Sequence, residues 1–299
     1  MNDHPTGDAG ASNQQSAARL ALLGLAVNVA FAFIKITAGV LGNAYALIAD
    51  GIESALDAAG SIVIWGGLRY AARPPDATHP YGHGKAEPLA AVIVALGVLA
   101  AATAIAVESV REIFLPHHGP APFTLFVLII AVVVKEALFR AVSRVGRTVE
   151  STAVATDAWH HRADAVISMA AAVGISIALI GGEKWQRADD YAALFACVVI
   201  ATTGVRLLRP ALQEILDTAP RGGITESIQR AARSVPGVID LDKCFVRKMG
   251  VSYYVDLHVR VDGSISVREG HDLAHRVKDI IRGADSRIVD VLVHIEPGG

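Results

Sequence analysis

Two cysteines in 299 residues, Cys197 and Cys244, leave this chain without the thiolate spacing of a zinc finger and without a disulfide scaffold. Any metal it holds is bound through nitrogen and oxygen. Charge is also scarce: Asp, Glu, Lys and Arg make up 19% of the sequence against 53% hydrophobic residues, a balance that excludes an ordinary soluble protein. Charge of one sign is missing as well, since a net charge of -2 supplies no basic field for nucleic acid. Neither end reads as a cleaved signal peptide. Residues 1–18 are polar and rich in small side chains, which reads as a short disordered tail that stays attached.

What the chain has instead is long apolar runs. A hydrocarbon core about 30 Å thick needs roughly 20 residues of helix. Six runs approach that length: Leu20 to Leu41, Tyr45 to Tyr70, Leu89 to Ile113, Phe123 to Val142, Ala153 to Ile180 and Tyr191 to Leu208. Turn formers punctuate them at Gly42-Asn43, Arg73 to Asp76, Pro116 to Pro122 and Gly181 to Glu183. Lys and Arg resist translocation, and Arg19, Arg69, Arg73, Lys85, Arg140, Arg144, Arg147, Arg206 and Arg209 flank one side against Arg111, Lys184 and Arg187 on the other. The expectation is a six-helix transmembrane domain over 19–210 with both termini cytoplasmic.

At Pro210 the apolar runs end. A linker over 211–221 leads to a soluble α+β module over 222–299, with the element order αββαβ. Ile224 to Val235 has helical periodicity; Val238 to Lys248 and Val251 to Val261 read as strands joined at Gly250; Val267 to Arg282 is an amphipathic helix; Ile288 to Glu296 is a last strand. Val255, Leu257, Val259 and Val261 alternate with Asp256, His258 and Arg260, and Val289, Val291, Val293 and Ile295 with Asp290, His294 and Glu296, so the polar members share the solvent face.

The second run carries Asp50, Glu53 and Asp57 at intervals of three and four, which places three carboxylates on one helix face. A charge at the bilayer centre costs at least ~2.5 kcal/mol, so such groups face a cavity, a partner or an ion. The fifth run repeats the spacing as Asp157, His160 and Asp164. An i, i+4 pair lies one turn apart, and two such pairs, Glu53 with Asp57 and His160 with Asp164, supply four ligands to one ion. One imidazole and three carboxylates suit a tetrahedral divalent transition metal such as zinc, whereas Ca²⁺ or Mg²⁺ wants more oxygens. The bland alternative is that the acids bond to neighbouring helices or to a base, as Lys135 and Glu136 in the fourth run could provide. For Asp50 and Asp157 the two readings stand level.

Two further constellations are dense in ligands. Asp76, His79 and His83 follow the second run at intervals of three and four, with Gly82 and Gly84 allowing tight turns, and can hold a second ion or form a solvated histidine loop. In the module, His258, His294 and Glu296 share one sheet face, while His271 and His275 lie one turn apart on the following helix. They make a third site or simply polar surface. His117 and His118 form a weak pair, and His161 points off the ligand face.

The stretches Ala46 to Asp57, His79-Pro-Tyr-Gly-His-Gly-Lys-Ala-Glu87 and Asp157 to Asp164 together resemble the cation diffusion facilitator family of divalent-metal/proton antiporters, across nearly the whole chain beyond the N-terminal tail. The resemblance implies six spans followed by a ferredoxin-like cytoplasmic domain. It implies a transport site at Glu53, Asp57, His160 and Asp164, a loop site at Asp76, His79 and His83, and a cytoplasmic site at Asp242, His258, His271, His294 and Glu296. It also implies a salt bridge between Lys85 and Asp217 that helps hold a homodimer together. Glu53 stands where relatives commonly have Asp or His, and Asp242 and Glu296 where a well-studied exporter type has His and Asp, so the metal does not transfer directly.

The functional expectation is a Zn²⁺ exporter, with Fe²⁺, Cd²⁺, Co²⁺ or Mn²⁺ open, in a bacterial inner membrane. Ligands must be deprotonated to bind metal, so metal capture releases protons and protons are the counter-ion. Gly39, Gly42, Gly51, Gly60, Gly66 and Gly67 are placed to let helices approach and rock, and the cytoplasmic module is expected to regulate and to dimerise. An intramembrane metallohydrolase would want a His-Glu-x-x-His helix, which the sequence lacks, so no enzymatic activity is expected. The alternative is a non-transporting membrane metal sensor or assembly protein on the same scaffold.

Overall fold

The computed structural model describes residues 25–114, 119–149, 152–220, 222–250 and 252–298, with the side chains of 142, 145–149, 152–163 and 183–184 left out. The expected tail therefore lies outside the described residues, as do His117 and His118. Long helices follow the apolar runs: α1 (Leu25–Leu41), α2 (Tyr45–Ala71), α3 (Ala86–Phe114), α4 (Pro122–Val149), α5 (Thr152–Gly181) and α6 (Ala188–Ile215). A 3₁₀ turn at Gly182–Trp185 precedes α6. The helix α6 continues through Pro210 to Ile215, beyond the expected end of its apolar run.

Among the described residues, four stretches are long and apolar enough to cross a membrane: Ala86–Phe114, Pro122–Ala141, Asp164–Gly181 and Ala188–Ile215. The helix α1 is shorter over its described part, and the 27 residues of α2 are interrupted by Asp50, Glu53 and Asp57. Phe33, Trp65, Phe126 and Ile180 are exposed, the outward apolar surface that a bilayer, and not water, accommodates.

Glycine marks where helices come closest. A Cβ on Gly39 would lie 2.6 Å from Ile48 Cγ1, and one on Gly51 would lie 2.8 Å from Ile36 Cγ1, so α1 and α2 pack nearly backbone to backbone. Gly66 has open space around it, so close helix approach accounts for only some of the glycines in this stretch.

The C-terminal module contains α7 (Ile224–Arg233), β1 (Asp240–Met249), β2 (Ser252–Asp262), α8 (Val267–Ala284) and β3 (Ile288–Gly298), in the expected order. The hairpin between β1 and β2 turns at Gly250, whose φ of +63° favours glycine, and α8 crosses over so that β3 pairs parallel to β2. The sheet order is β1-β2-β3. Tyr253, Val255, Leu257, Val259 and Val261 are buried against Leu273, Val277 and Ile281 of α8 and Ile224, Ile228 and Ala232 of α7. The spacing i, i+4, i+8 puts the α8 trio on one stripe. A capping box closes the start of α8, with Ser266 and Glu269 each accepting from the other's backbone N–H.

One inward residue was misassigned from alternation alone. Val289 is exposed and Ile288 is buried, because the β2–β3 register slips between Tyr253 and Tyr254 and skips Val289. An irregularity of this kind moves a side chain to the other face.

The chain divides into two compact units, one joining the described residues up to Ile62 with Val94–Arg206, the other joining Val63–Ile93 with Leu207–Gly299. The second unit thus contains the end of α2, the start of α3 and the end of α6 together with the αββαβ module.

Candidate metal sites

In the first unit, α2 presents Asp50, Glu53 and Asp57 on one face and α5 presents Asp164. The charges of Asp164, Asp57, Asp50 and Lys35 all act on Glu53, so three of the four residues that the spacing assigned to one ion share one electrostatic neighbourhood. The side chains of Asp157, His160 and His161 lie outside the described set. Glu53 Oε2 is buried and accepts no hydrogen bond among the described residues, an arrangement that leaves a strong oxygen donor open to a ligand.

Two buried lysines answer part of this negative charge. Lys135 on α4, with no solvent exposure, donates to Asp164 Oδ2 at 2.5 Å and to Asn28 Oδ1 at 2.5 Å. Lys35 on α1 sits 2.7 Å from Asp50 Oδ2, and both oxygens of Asp50 accept from the Ser168 hydroxyl at 2.8 Å. Asp50 is thereby satisfied by Lys35 and Ser168, which favours the bland reading for that residue. Lys35 escaped the sequence reading; the available signal was a lone base in the apolar run from Phe31 to Val40. Asp189, at the start of α6, was also missed. Its carboxylate accepts from the backbone N–H groups of Tyr45 at 2.6 Å and Ala46 at 3.2 Å, satisfying donors that the first turn of α2 leaves open.

Among the described residues, two groups hold three metal-ligating atoms within 4.8 Å of one another: Asp76 with His79 and His83, and His258 with His294 and Glu296. Both lie in the second unit. In the loop group, Asp76 Oδ1 is 3.4 Å from His79 Nδ1 and Oδ2 is 3.4 Å from His83 Nε2. The carboxylate is oriented by Thr78, whose hydroxyl and N–H donate at 2.7 and 2.8 Å, and by the His79 N–H at 2.7 Å. These donors hold the Asp76 carboxyl well below the usual carboxylate range, the Thr78 hydroxyl most of all. Thr78 went unnoticed in the sequence, although Asp-x-Thr is a known local turn pattern. His83 is buried in an edge-on contact with Tyr70, with ring centroids 5.0 Å apart, and its Nδ1 has no hydrogen-bond partner among the described residues.

In the module, parallel pairing puts His258 beside His294 in register. Their ring centroids are 4.8 Å apart, and His258 Nδ1 lies 2.6 Å from Glu296 Oε1. The contact with His258 holds the Glu296 carboxyl below its ordinary value. The other two residues that the resemblance implied stand outside this three-residue group and have other contacts. Asp242 Oδ1 accepts from Arg260 at 2.6 Å, beside a register shift between Leu241 and Cys244, and His271 pairs with His275 on α8 at 4.5 Å between ring centroids.

Lys85 and Asp217 do meet, and they do so within one chain: Lys85 Nζ lies 2.5 Å from Asp217 Oδ1 and 2.6 Å from the Glu214 carbonyl. Asp217 adopts a left-handed φ of +52° just past α6. Glu214 is a further residue that spacing did not reveal, for its two oxygens accept from Lys248 and from the Gly250 N–H, each at 2.8 Å.

Buried carboxylates on apolar helices, together with clustered imidazoles in a soluble module, define a membrane carrier for metal cations. Residues 21–216 match the family described as the cation efflux transmembrane domain, and residues 220–298 match the cation efflux protein, cytoplasmic domain. The chain belongs to the cation diffusion facilitator family of divalent-metal efflux transporters. It is 28% identical to the manganese efflux system protein MneP of Bacillus subtilis (strain 168), over 95% of this chain and 97% of that one. It is 30% identical to metal tolerance protein C1 of Arabidopsis thaliana, over 92% of this chain and 61% of that one. It is 28% identical to the cation-efflux pump FieF of Shewanella oneidensis, over 88% and 90% respectively.

Proposed function

We propose that this transporter exports Zn²⁺ in exchange for protons, by alternating access of a site made of Glu53, Asp57, His160 and Asp164. The observation that carries the site is the convergence of Glu53, Asp57 and Asp164 inside the first unit, with Glu53 Oε2 buried and lacking a hydrogen-bond donor among the described residues. A dehydrated oxygen with no protein partner is stabilised by an ion. Zinc is favoured over harder ions because imidazole enters every group: His160 in the membrane, His79 and His83 in the loop, His258 and His294 in the module. The similarity to a manganese efflux protein makes Mn²⁺ the chief competitor, followed by Fe²⁺, Cd²⁺ and Co²⁺.

Exchange follows from ligand chemistry. Carboxylates and imidazole bind metal only when deprotonated, so metal capture expels protons and proton capture weakens metal binding. The chain acts as a carrier and not as an enzyme, with six helices in the bilayer over 19–210, a linker over 211–221 and a module over 222–299 that dimerises and senses metal through His258, His294 and Glu296. The Lys and Arg distribution supports cytoplasmic termini, and a bacterial inner membrane is the compartment that such an exporter serves.

Flux across proteoliposomes tests this reading. With Zn²⁺, Mn²⁺, Fe²⁺, Co²⁺ and Cd²⁺ offered separately, zinc movement is expected to be the fastest and to follow an imposed pH gradient. Flux indifferent to the gradient would remove the exchange mechanism, and a faster manganese flux would reassign the cargo.

A further inference from the structure

Lys135 is enclosed among apolar helices, and its ammonium has two acceptors, Asp164 Oδ2 and Asn28 Oδ1, each at 2.5 Å. One of these is a proposed metal ligand. The other is an uncharged amide on α1, itself buried. Lys135 follows an apolar stretch from Phe123 to Val134 broken only by Thr124, where a cation is retained only for a partner or a task.

We propose that Lys135 is a tethered counter-cation of the transport site: it orients Asp164 and offsets its charge while the metal is away, and so sets how tightly the metal is held and how readily it leaves. The inference rests on the reading of Glu53, Asp57, His160 and Asp164 as the transport site.

Geometry supplies the first argument. The ammonium engages Asp164 Oδ2, so it orients that carboxylate and competes with an incoming ion for the same oxygen. Charge supplies the second. Lys135 returns one positive charge to a group that gathers the carboxylates of Glu53, Asp57 and Asp164, so its charge opposes that of an incoming cation. The third argument is the tether itself. Asn28 keeps hold of the ammonium when Asp164 turns to the metal, so the lysine need not leave the bundle between the two states. Repulsion between the ammonium and the bound ion then weakens retention and promotes release.

A lysine that merely props the helices apart would weaken metal binding when removed. A counter-cation does the opposite. Full-length Lys135→Met in proteoliposomes at pH 8, with Zn²⁺ as the probe, is expected to show KM lowered by roughly tenfold or more, because the repelling charge is gone. Its kcat should fall together with KM, and Lys135→Arg should restore both toward the parent. If Lys135→Met fails to fold, Asn28→Leu carries the test. Loss of the neutral anchor leaves the ammonium bound to Asp164 alone, and KM is expected to rise. Weaker or unchanged zinc binding in Lys135→Met, an arginine variant as damaged as the methionine variant, or an unmoved KM in Asn28→Leu would overturn the proposal. Asp57→Ala in the same assay separates the two levels: if it transports as the parent does, the transport-site reading itself is wrong, whatever Lys135 does.

Discussion

Glu214 accepts the Gly250 N–H at 2.8 Å through one oxygen and binds the Lys248 ammonium at 2.8 Å through the other. A carboxylate near the end of α6 thus holds the turn between β1 and β2, while its own backbone carbonyl accepts from Lys85. Replacing Glu214 with Ala strands a hydrogen-bond donor and an ammonium together, a loss of about 1–3 kcal/mol for a largely buried group. Glu214→Gln is expected to lose less, because an amide oxygen still serves the N–H. Thermal unfolding of the purified full-length protein orders the three melting temperatures parent, Gln, Ala; an alanine variant as stable as the parent would show that the contact contributes nothing.

The same unit packs Gly84 against the end of β1. A Cβ there would sit 2.7 Å from the Met249 carbonyl oxygen, and backbone yields less readily than a side-chain tip. Gly84→Ala is expected to destabilise the protein by ~1–3 kcal/mol through overpacking and to disturb the neighbouring His83. Urea unfolding with an unchanged midpoint would mean that the loop relaxes away freely.

Metal binding by the module should depend on His258 and His294 and be indifferent to membrane-site changes. Substituting both with Ala is expected to remove one class of zinc sites in isothermal titration and to alter the metal-concentration dependence of flux, while the membrane site still binds. Asp242→Asn is expected to matter much less, since Asp242 is occupied by Arg260. A large loss from Asp242→Asn would indicate that the residue changes partner when metal arrives.

Selectivity is expected to track the membrane ligands. Glu53→Asp shortens the reach of one carboxylate by a methylene, and His160→Asp removes the only imidazole of the proposed quartet. The second change should shift preference away from zinc toward harder ions, Mn²⁺ among them. A metal panel run on both variants checks this, and an unchanged ranking for His160→Asp would exclude His160 from the site.

Asp285 supplies a pH signature. The Arg287 side chain and backbone N–H draw its carboxyl down to about 2. A carboxylate depressed in the folded state contributes stability above its unfolded value, near 3.9, and loses it as the pH falls through the folded value. Asp285→Asn is therefore expected to lower the melting temperature at neutral pH, and the gap to the parent should close between about pH 4 and pH 2. A gap independent of pH would assign the effect to something other than this ionised carboxylate.

Local rules reached far into this protein. The intervals Asp50–Glu53–Asp57 and Asp157–His160–Asp164 were legible because a helix repeats every 3.6 residues, and the shared face of His294 and Glu296 because a strand repeats every two. The loop trio was legible because its ligands lie only seven residues from first to last. Val289 was not, since a register slip between β2 and β3 is a property of the pairing and not of either strand alone.

The amino-acid order by itself determined the element order, the apolar runs, the ligand types and their helical or strand faces, because these depend on contacts within a few residues. Only the tertiary structure decided which charges meet. Lys35 with Asp50 and Lys135 with Asp164 join residues from different helices, and Glu214 reaches a hairpin 36 residues onward. Buried charge seeks its partner across space, where Coulomb energy and desolvation, rather than sequence separation, choose the pair.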